Sequence, residues 1–404
     1  MKHASPALLP PGFQDLLPPD SDREAYLIQI IGEVYKSFGY RFVKPPLMEF
    51  EGSFTASPMG RELSDQTFRL MDPVSHAMLV LRADITPQIV RLAETRMPNS
   101  PRPLRLFYAA DSMRVKAGQI RTARQFTQIG CECIGVDDVD ADLEICLLAL
   151  LSLKALDLED ITLDLAVPGL VPAILSSLKL DDARYEAVKK SLGQKDLAAL
   201  SDLNPETDDL FRKLLAAVGP AEAGLKNLRA IDALPQAQMT TIQRMQDVVE
   251  KLATVMHVYG LGHVSITVDP LETLGFDYHT GLGFTLFSKT IQGELGRGGR
   301  YKARFADDNL TDNHAQSPKP AEDACGFSLY TDNLRKLVKH GGKPNRLFVP
   351  ADTPWQDIKA YQDEGWKIIR QTGPGCDDKT LKDMGCTHKI ESGKAVKLNE
   401  IKEK

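Results

Sequence analysis

The clearest periodicity in the chain lies at 26–38. Tyr26, Ile30, Ile31, Val34, Tyr35 and Phe38 recur at helical spacing, and Gly39 stops the run. This predicts an amphipathic helix with one apolar stripe against a core. Ser21 and Glu24 precede it at capping-box distance. Upstream, PPGFQDLLPP (10–19) reads as a proline-bounded loop. Downstream the period shortens. Tyr40 to Val43, then 67–71 and 78–82, read as strands, the last two joined by the turn Asp72-Pro73-Val74-Ser75. Residues 84–95 read as a helix, with Asp84 or Thr86 at its start and Pro87 in the first turn.

Segments 104–109 and 124–134 read as strands of one hairpin-like unit, separated by a polar stretch that carries Arg114, Lys116, Arg121 and Arg124. A helix over 142–156 and an alternating strand over 161–167 follow. Residues from about 170 to 235 carry short helical patterns broken at Gly193, Pro205, Gly219 and Pro220, and read as a helical insertion. A longer helix is expected over 236–259, strands at 263–269, 282–288, about 292–295 and 325–329, and a helix at 331–339. The polar run 304–322 is expected to be a mobile loop, and Gly341-Gly342-Lys343-Pro344 a linker. Beyond it, 346–349, 354–364, 366–369, 377–384 and 387–390 alternate strand and helix. The expectation is an α+β core over 1–340 and a small α/β domain over 345–404.

Composition narrows the function. With 404 residues, 43% hydrophobic and 26% charged, the chain can bury a large core without disulfide or metal staples. A net charge of −6 disfavours a dedicated nucleic-acid binder. No apolar run approaches the ~18 residues of a membrane span, and Met1-Lys2-His3-Ala4-Ser5-Pro6 lacks a signal-peptide core. Six cysteines in a chain of this length do not form a disulfide framework, so the reducing cytoplasm is the expected setting. Cys131 and Cys133 lack a second pair at zinc-ligand spacing, so no metal is expected and the thiols are assigned to the core. No cofactor motif is present. Gly296-Arg297-Gly298-Gly299-Arg300 is neither a P-loop nor a dinucleotide fingerprint. It reads equally as a turn or as backbone that approaches a small ligand.

Polar residues on presumed core strands say more. Gln128 and Glu132 stand four apart on one strand, so they share a face with Gly130 between them. A buried carboxylate is costly without partners. The pair marks either a cup for a polar ligand or a half-exposed sheet face.

Several ordered segments resemble one family. RLFYAADSMRVKAGQIRTARQFTQIGCECIG (105–135) is similar to the motif-2 region of class II histidyl-tRNA synthetases. PPGFQDLLP resembles that family's N-terminal loop, and VKPPLMEFEGSF (43–54) its motif 1, which forms the dimer interface. LRADIT (81–86), GFDYHTG (275–281) and GRGGRY (296–301) resemble its amino-acid pocket. The resemblance covers about 7–338 and implies a class II synthetase-like core with an antiparallel sheet flanked by helices. It also implies that Asp84, Thr86, Arg114, Gln128, Glu132, Tyr278 and His279 bind histidine. In that reading Asp84 receives the ligand ammonium, Gln128 reaches its α-groups, and Glu132 accepts an imidazole N–H. His279 replaces a tyrosine of the family.

The departures point away from catalysis. Lys116 stands where motif 2 has glutamate, Asn333 where motif 3 has arginine, and Leu274 where the synthetases place another arginine. Adenylate formation needs positive charge aimed at the reacting phosphates. LRADITPQIVRLA (81–93) is especially similar to the regulatory subunits of ATP phosphoribosyltransferase. That resemblance implies a non-catalytic subunit, a homodimer through motif 1, that activates a short catalytic partner and transmits histidine feedback without tRNA or membrane. Arg297 and Arg300 are then candidates for the partner interface, and Trp355 and Trp366 for packing of the tail. Two other readings stay open: a divergent histidyl-tRNA synthetase and an amino-acid sensor with another partner.

Overall fold

A computed structural model describes residues 8–116, 122–196, 204–232, 234–273, 275, 278–305, 320–338, 345–391 and 393–398. The expected loop at 304–322 and the linker at 341–344 lie largely or wholly outside these residues. Packing divides the chain into two units, Met1–Val338 and Lys339–Lys404.

The first unit begins with α1 (Asp20–Ser37), β1 (Arg41–Phe42), β2 (Met48–Phe50), α2 (Glu51–Thr55) and α3 (Pro58–Glu62). Next come β3 (Phe68–Met71), β4 (Met78–Leu81), α4 (Thr86–Thr95), β5 (Leu104–Met113), β6 (Gln125–Ile134), α5 (Val139–Lys154) and β7 (Ile161–Ala166). The insertion holds α6 (Leu170–Ser177), α7 (Asp182–Gly193), α8 (Pro205–Leu215), β8 (Gly219–Pro220) and α9 (Ala221–Arg229). The unit closes with α10 (Gln236–Val258), β9 (Ser265–Asp269), β10 (His279–Ser288), β11 (Glu294–Ala303), β12 (Glu322–Tyr330) and α11 (Thr331–Leu337).

A nine-stranded sheet runs in the order β1-β5-β6-β12-β11-β10-β7-β9-β8. It is antiparallel from β5 to β7, and parallel where β1 meets β5 and β7 meets β9. Strand alternation divides its two faces. Phe107, Ile129, Cys131 and Cys133 enter the main core with Leu27, Ile31 and Tyr35 of α1 and Leu148 of α5. There Tyr35 meets Phe107 and Phe327 edge-on at 5.6 and 5.8 Å. On the opposite face Leu104, Leu106, Tyr108 and Ile134 pack with Ile85 and with Ile89 and Val90 of α4. Gln128, Gly130 and Glu132 share the alternation of Ile134, and so belong to that second face.

Four expectations need correction. Ser21 and Glu24 do not build a capping box; α1 follows Pro19 without a side-chain cap. Glu24 instead accepts hydrogen bonds from Thr127 (2.9 Å), Thr331 (2.8 Å) and Arg335 (3.1 Å), which ties α1 to β6 and α11. The glycine-dense segment is a central strand rather than a turn, because its neighbours leave no room for side chains. A Cβ at Gly298 would lie 2.4 Å from the carbonyl oxygen of Gly326. The insertion is not purely helical, since β8 pairs with β9 and extends the sheet. The tail also carries a strand beyond the last one expected.

A separate three-stranded sheet, β2-β4-β3, lies over the motif-1 segment. Arg82, 4% exposed, anchors it by donating to the carbonyls of Asp111 (2.6 Å), Pro45 and Pro46 (both 3.1 Å). Met48, Phe50, Leu70, Met71 and Met78 are exposed on these strands.

The second unit holds β13 (Arg346–Val349), α12 (Trp355–Asp363), β14 (Lys367–Arg370), α13 (Asp378–Asp383), β15 (His388–Glu391) and the unforeseen β16 (Lys394–Lys397). Its sheet runs β14-β13-β15-β16. Leu347 and Val349 pack with Ile358 of α12, while Phe348 packs with Leu381 of α13. Trp355 is exposed, with the Arg370 guanidinium 4.5 Å from its ring centroid, so only Trp366 joins the packing. Among the described residues, no helix is long and apolar enough to cross a membrane.

Candidate functional site

The second face of the large sheet opens into a cavity of about 280 Å³. The turn before α4 supplies Asp84, and the first residue of α4 supplies Thr86. Glu132 comes from β6, Tyr278 and His279 from the start of β10, Tyr301 from β11 and Ser328 from β12. Several of these side chains belong to one hydrogen-bonded set.

Glu132 sits at the floor, 1% exposed. Its Oε1 accepts from Thr86 Oγ1 (2.9 Å) and from the Tyr108 hydroxyl (3.1 Å). Its Oε2 accepts from the Tyr301 hydroxyl (2.8 Å). Burial pushes the carboxyl up to about 8; the Tyr301 and Thr86 hydroxyls oppose the rise, the charge of Asp84 adds to it, and Tyr108 opposes it. The floor is closed by backbone: a Cβ at Gly326 would lie 1.7 Å from Glu132 Oε2.

Asp84 forms a second acidic end. Its Oδ1 accepts the Thr86 backbone N–H (2.9 Å) and its Oδ2 accepts from Gln128 Nε2 (2.9 Å). Arg114 stands at the mouth, 3.9 Å from Asp84, with its guanidinium 5.2 Å from the Phe126 ring centroid. Tyr330 meets another side of that ring edge-on at 5.9 Å. Arg297 lines the cavity with Glu294, to which its Nε donates at 2.7 Å. Tyr278 stacks on His279 with centroids 4.5 Å apart. The site thus offers two separated carboxyl groups, each held by neutral donors, inside a small enclosure. Such an enclosure suits a small ligand with N–H donors at two ends.

Comparisons with known proteins agree with this architecture. The family model for Histidyl-tRNA synthetase matches residues 12–334. An ATP phosphoribosyltransferase regulatory subunit of Rhodospirillum centenum is 41% identical, covering 98% of this chain and 97% of its own length. One of Paramagnetospirillum magneticum is 40% identical, covering 96% and 97%. This chain belongs to the ATP phosphoribosyltransferase regulatory subunit family. The fold is shared with an ATP phosphoribosyltransferase regulatory subunit/histidyl-tRNA synthetase from Bacillus halodurans C (TM-score 0.76, 23% identity, 96% and 99% covered). It is shared also with the histidyl-tRNA synthetase from Nostoc sp. PCC 7120 (TM-score 0.76, 16% identity, 96% and 92% covered).

Six of the seven residues that the sequence singles out line the cavity: Asp84, Thr86, Arg114, Glu132, Tyr278 and His279. Gln128 is not among the lining residues; it is fully buried behind Asp84, and its amide is engaged by Ser112, Asp84 and Ser328. Arg300 is not an interface residue. It is 3% exposed and donates to Asp142 (3.0 Å) and to the carbonyls of Val136 (2.8 Å) and Asp138 (3.2 Å). Leu274 lies outside the described residues. Sequence reasoning missed Tyr108 and Ser328, which appear there only as members of apolar strands. Tyr301 was present as the last residue of GRGGRY, where a hydroxyl next to a run of glycines is the available signal.

Proposed function

We propose that this chain assembles with a catalytic ATP phosphoribosyltransferase subunit in histidine biosynthesis and takes L-histidine into the cavity between Asp84 and Glu132. The observation that carries the reading is the pair of buried carboxyl groups lining one enclosure, both hydrogen-bonded by Thr86. Glu132 is suited to accept a ring N–H and Asp84 an α-ammonium group. Arg114 beside Asp84 supplies positive charge for an α-carboxylate.

The same chain performs no adenylation in this reading. Asn333 is neutral where the synthetases carry an arginine; its Nδ2 donates to the carbonyl of Glu294 (2.9 Å) and its Oδ1 accepts from Lys336 (3.1 Å). Lys116 offers no acceptor where the synthetases have glutamate. The Phe126 ring is engaged by Arg114 and Tyr330. The exposed apolar residues of β2, β3 and β4 support a homodimer through this sheet, on which the hetero-oligomer is built. Histidine then regulates the partner by favouring one assembly state over another. A coupling of ~1–3 kcal/mol changes apparent affinities roughly 5- to 150-fold, reciprocally for the two binding events.

The test is calorimetric titration of the full chain with L-histidine, with ATP in parallel, and co-purification with a short catalytic phosphoribosyltransferase. Saturable histidine binding, absence of ATP–pyrophosphate exchange and a stable complex are expected. Charging of tRNA with histidine at synthetase-like rates would overturn the reading in favour of a divergent synthetase.

A further inference from the structure

Six residues around the cavity close into one hydrogen-bonded ring: Asp84, Gln128, Ser328, Tyr108, Glu132 and Thr86, the last through both its hydroxyl and its backbone N–H. The ring's polarity can be worked out from donor chemistry. Ser112 Oγ lies 2.5 Å from Gln128 Oε1, and the Asp84 carboxylate lies 2.9 Å from Gln128 Nε2. The carboxylate only accepts, so the amide orientation is fixed. The second N–H of Gln128 faces Ser328 Oγ at 3.3 Å. Ser328 therefore accepts from Gln128 and has one proton left to give. Tyr108 lies 2.8 Å away; either hydroxyl can be the donor there, and with Glu132 ionised it is Ser328 that gives its proton. Tyr108 in turn donates its own proton to Glu132 Oε1 at 3.1 Å. Thr86 closes the ring, giving its hydroxyl proton to Glu132 and its backbone N–H to Asp84.

With Glu132 ionised, every hydroxyl in the ring thus donates toward it, and the link at Gln128 keeps its direction, because an amide NH₂ accepts nothing. Strand register makes the contact possible. Gly130 lies opposite Tyr108 on one side and Ser328 on the other. A Cβ there would stand 2.7 Å from the Tyr108 hydroxyl.

We propose that Ser328 is a positioning residue that, through Tyr108, fixes Glu132 as a hydrogen-bond acceptor toward the cavity and joins it to Asp84, so that both ends of a ligand are gripped as one unit. The ligand class is an amino acid whose side chain carries a ring N–H. This rests on the histidine reading above and adds to it a cavity-lining residue whose part is played through Tyr108.

The titratable groups that face Glu132 are Asp84, Tyr108, Tyr278 and Tyr301, while Cys131, its neighbour on the strand, enters the main core on the other face. The cavity's two arginines stand by other carboxylates, Arg114 by Asp84 and Arg297 by Glu294. Removing the Ser328 hydroxyl takes away the donor that supports Tyr108 in its bond to ionised Glu132, so ionisation becomes harder.

The experiment follows, against pH, the infrared carboxyl band that disappears in Glu132→Gln. It uses the full ligand-free chain as wild type, Ser328→Ala, Tyr108→Phe and the double variant. The titration midpoint is expected to rise by roughly half a unit to one unit in each single variant, the worth of about one hydrogen bond. The double variant is expected to move no further than the singles, because both cut the same relay. L-histidine affinity, by calorimetry, is expected to fall about fivefold in each variant and again no further in the double. A midpoint unmoved by Ser328→Ala, or additive shifts in the double, overturns the relay. If Ser328→Ala does not fold, an unmoved midpoint in Tyr108→Phe overturns it equally. Failure of the wild type to bind histidine overturns the histidine reading alone, since the midpoints decide the relay without ligand.

Discussion

Replacing Glu132 by glutamine should make the protein more stable and a poorer histidine binder, and the stability gain should appear only as pH rises. The carboxyl is held from its ordinary 4.5 up to about 8 by burial. Between those values the folded state binds a proton that the unfolded chain has released, so stability falls as pH rises through that window. At pH 5 the loss is under about 1 kcal/mol, at pH 7 about 3 kcal/mol, and at pH 8.5 it levels off near 4–5 kcal/mol. Glutamine removes this loss at every pH. It keeps an acceptor for Thr86 and Tyr108 but turns an NH₂ toward Tyr301, which costs about 1 kcal/mol. The wild type and Glu132→Gln should therefore have similar stability at pH 5, while Glu132→Gln gains roughly 3–4 kcal/mol at pH 8.5. Urea unfolding at the two pH values measures the gap directly. In thermal melts the alkaline gap should be roughly 5–10 °C. Above pH 8 the same substitution exchanges a charged acceptor for a neutral one, so histidine affinity measured there should drop roughly 10- to 100-fold in calorimetry. A stability difference that is equal at pH 5 and pH 8.5 refutes the reasoning about Glu132.

Three further outcomes are expected. Gly326→Ala places a methyl carbon against Glu132 Oε2 and displaces the carboxyl, so histidine binding by calorimetry should be lost, with ~1–3 kcal/mol of overpacking visible in denaturant unfolding; unchanged binding contradicts the placement of the floor. Arg300→Ala leaves buried Asp142 with Arg244 (2.9 Å) as its remaining cation and should cost about 1–3 kcal/mol in the same unfolding assay. Its co-purification with the catalytic subunit should be unaffected under conditions where the chain remains folded. Met71→Asp sets a charge on the exposed apolar sheet, and sedimentation should report half the wild-type mass; a retained dimer places the homodimer contact elsewhere.

How far the sequence could be read depended on the range of the interaction involved. Period-two alternation placed Gln128 and Glu132 on one face of β6, and that relation depends only on neighbours along the chain. The main helices and strands were legible for the same reason. Tyr108 and Ser328 were not singled out, because a lone hydroxyl on an apolar strand has no local signature. Only the pairing of β5, β6 and β12 brings them together over Gly130. For Gln128, alternation gives the face but not the depth: it is fully buried, and its amide is engaged by Ser112, Asp84 and Ser328. The capping box failed through competition. Glu24 has three long-range donors available, and these outbid a local backbone contact. The glycine run became a strand because cross-strand carbonyls press on it, a constraint that composition does not carry.

The large sheet has a consequence for how copies of the chain can meet. Each border is a strand of two residues: Arg41–Phe42 on one side and Gly219–Pro220 on the other. Pro220 has no N–H to offer and two further prolines, Pro45 and Pro46, follow Phe42 closely, so neither border offers a ladder that another chain could continue. Lateral polymerisation is thereby disfavoured at both rims, and a protein built to live within a larger complex is left to associate through surfaces other than the borders of its main sheet.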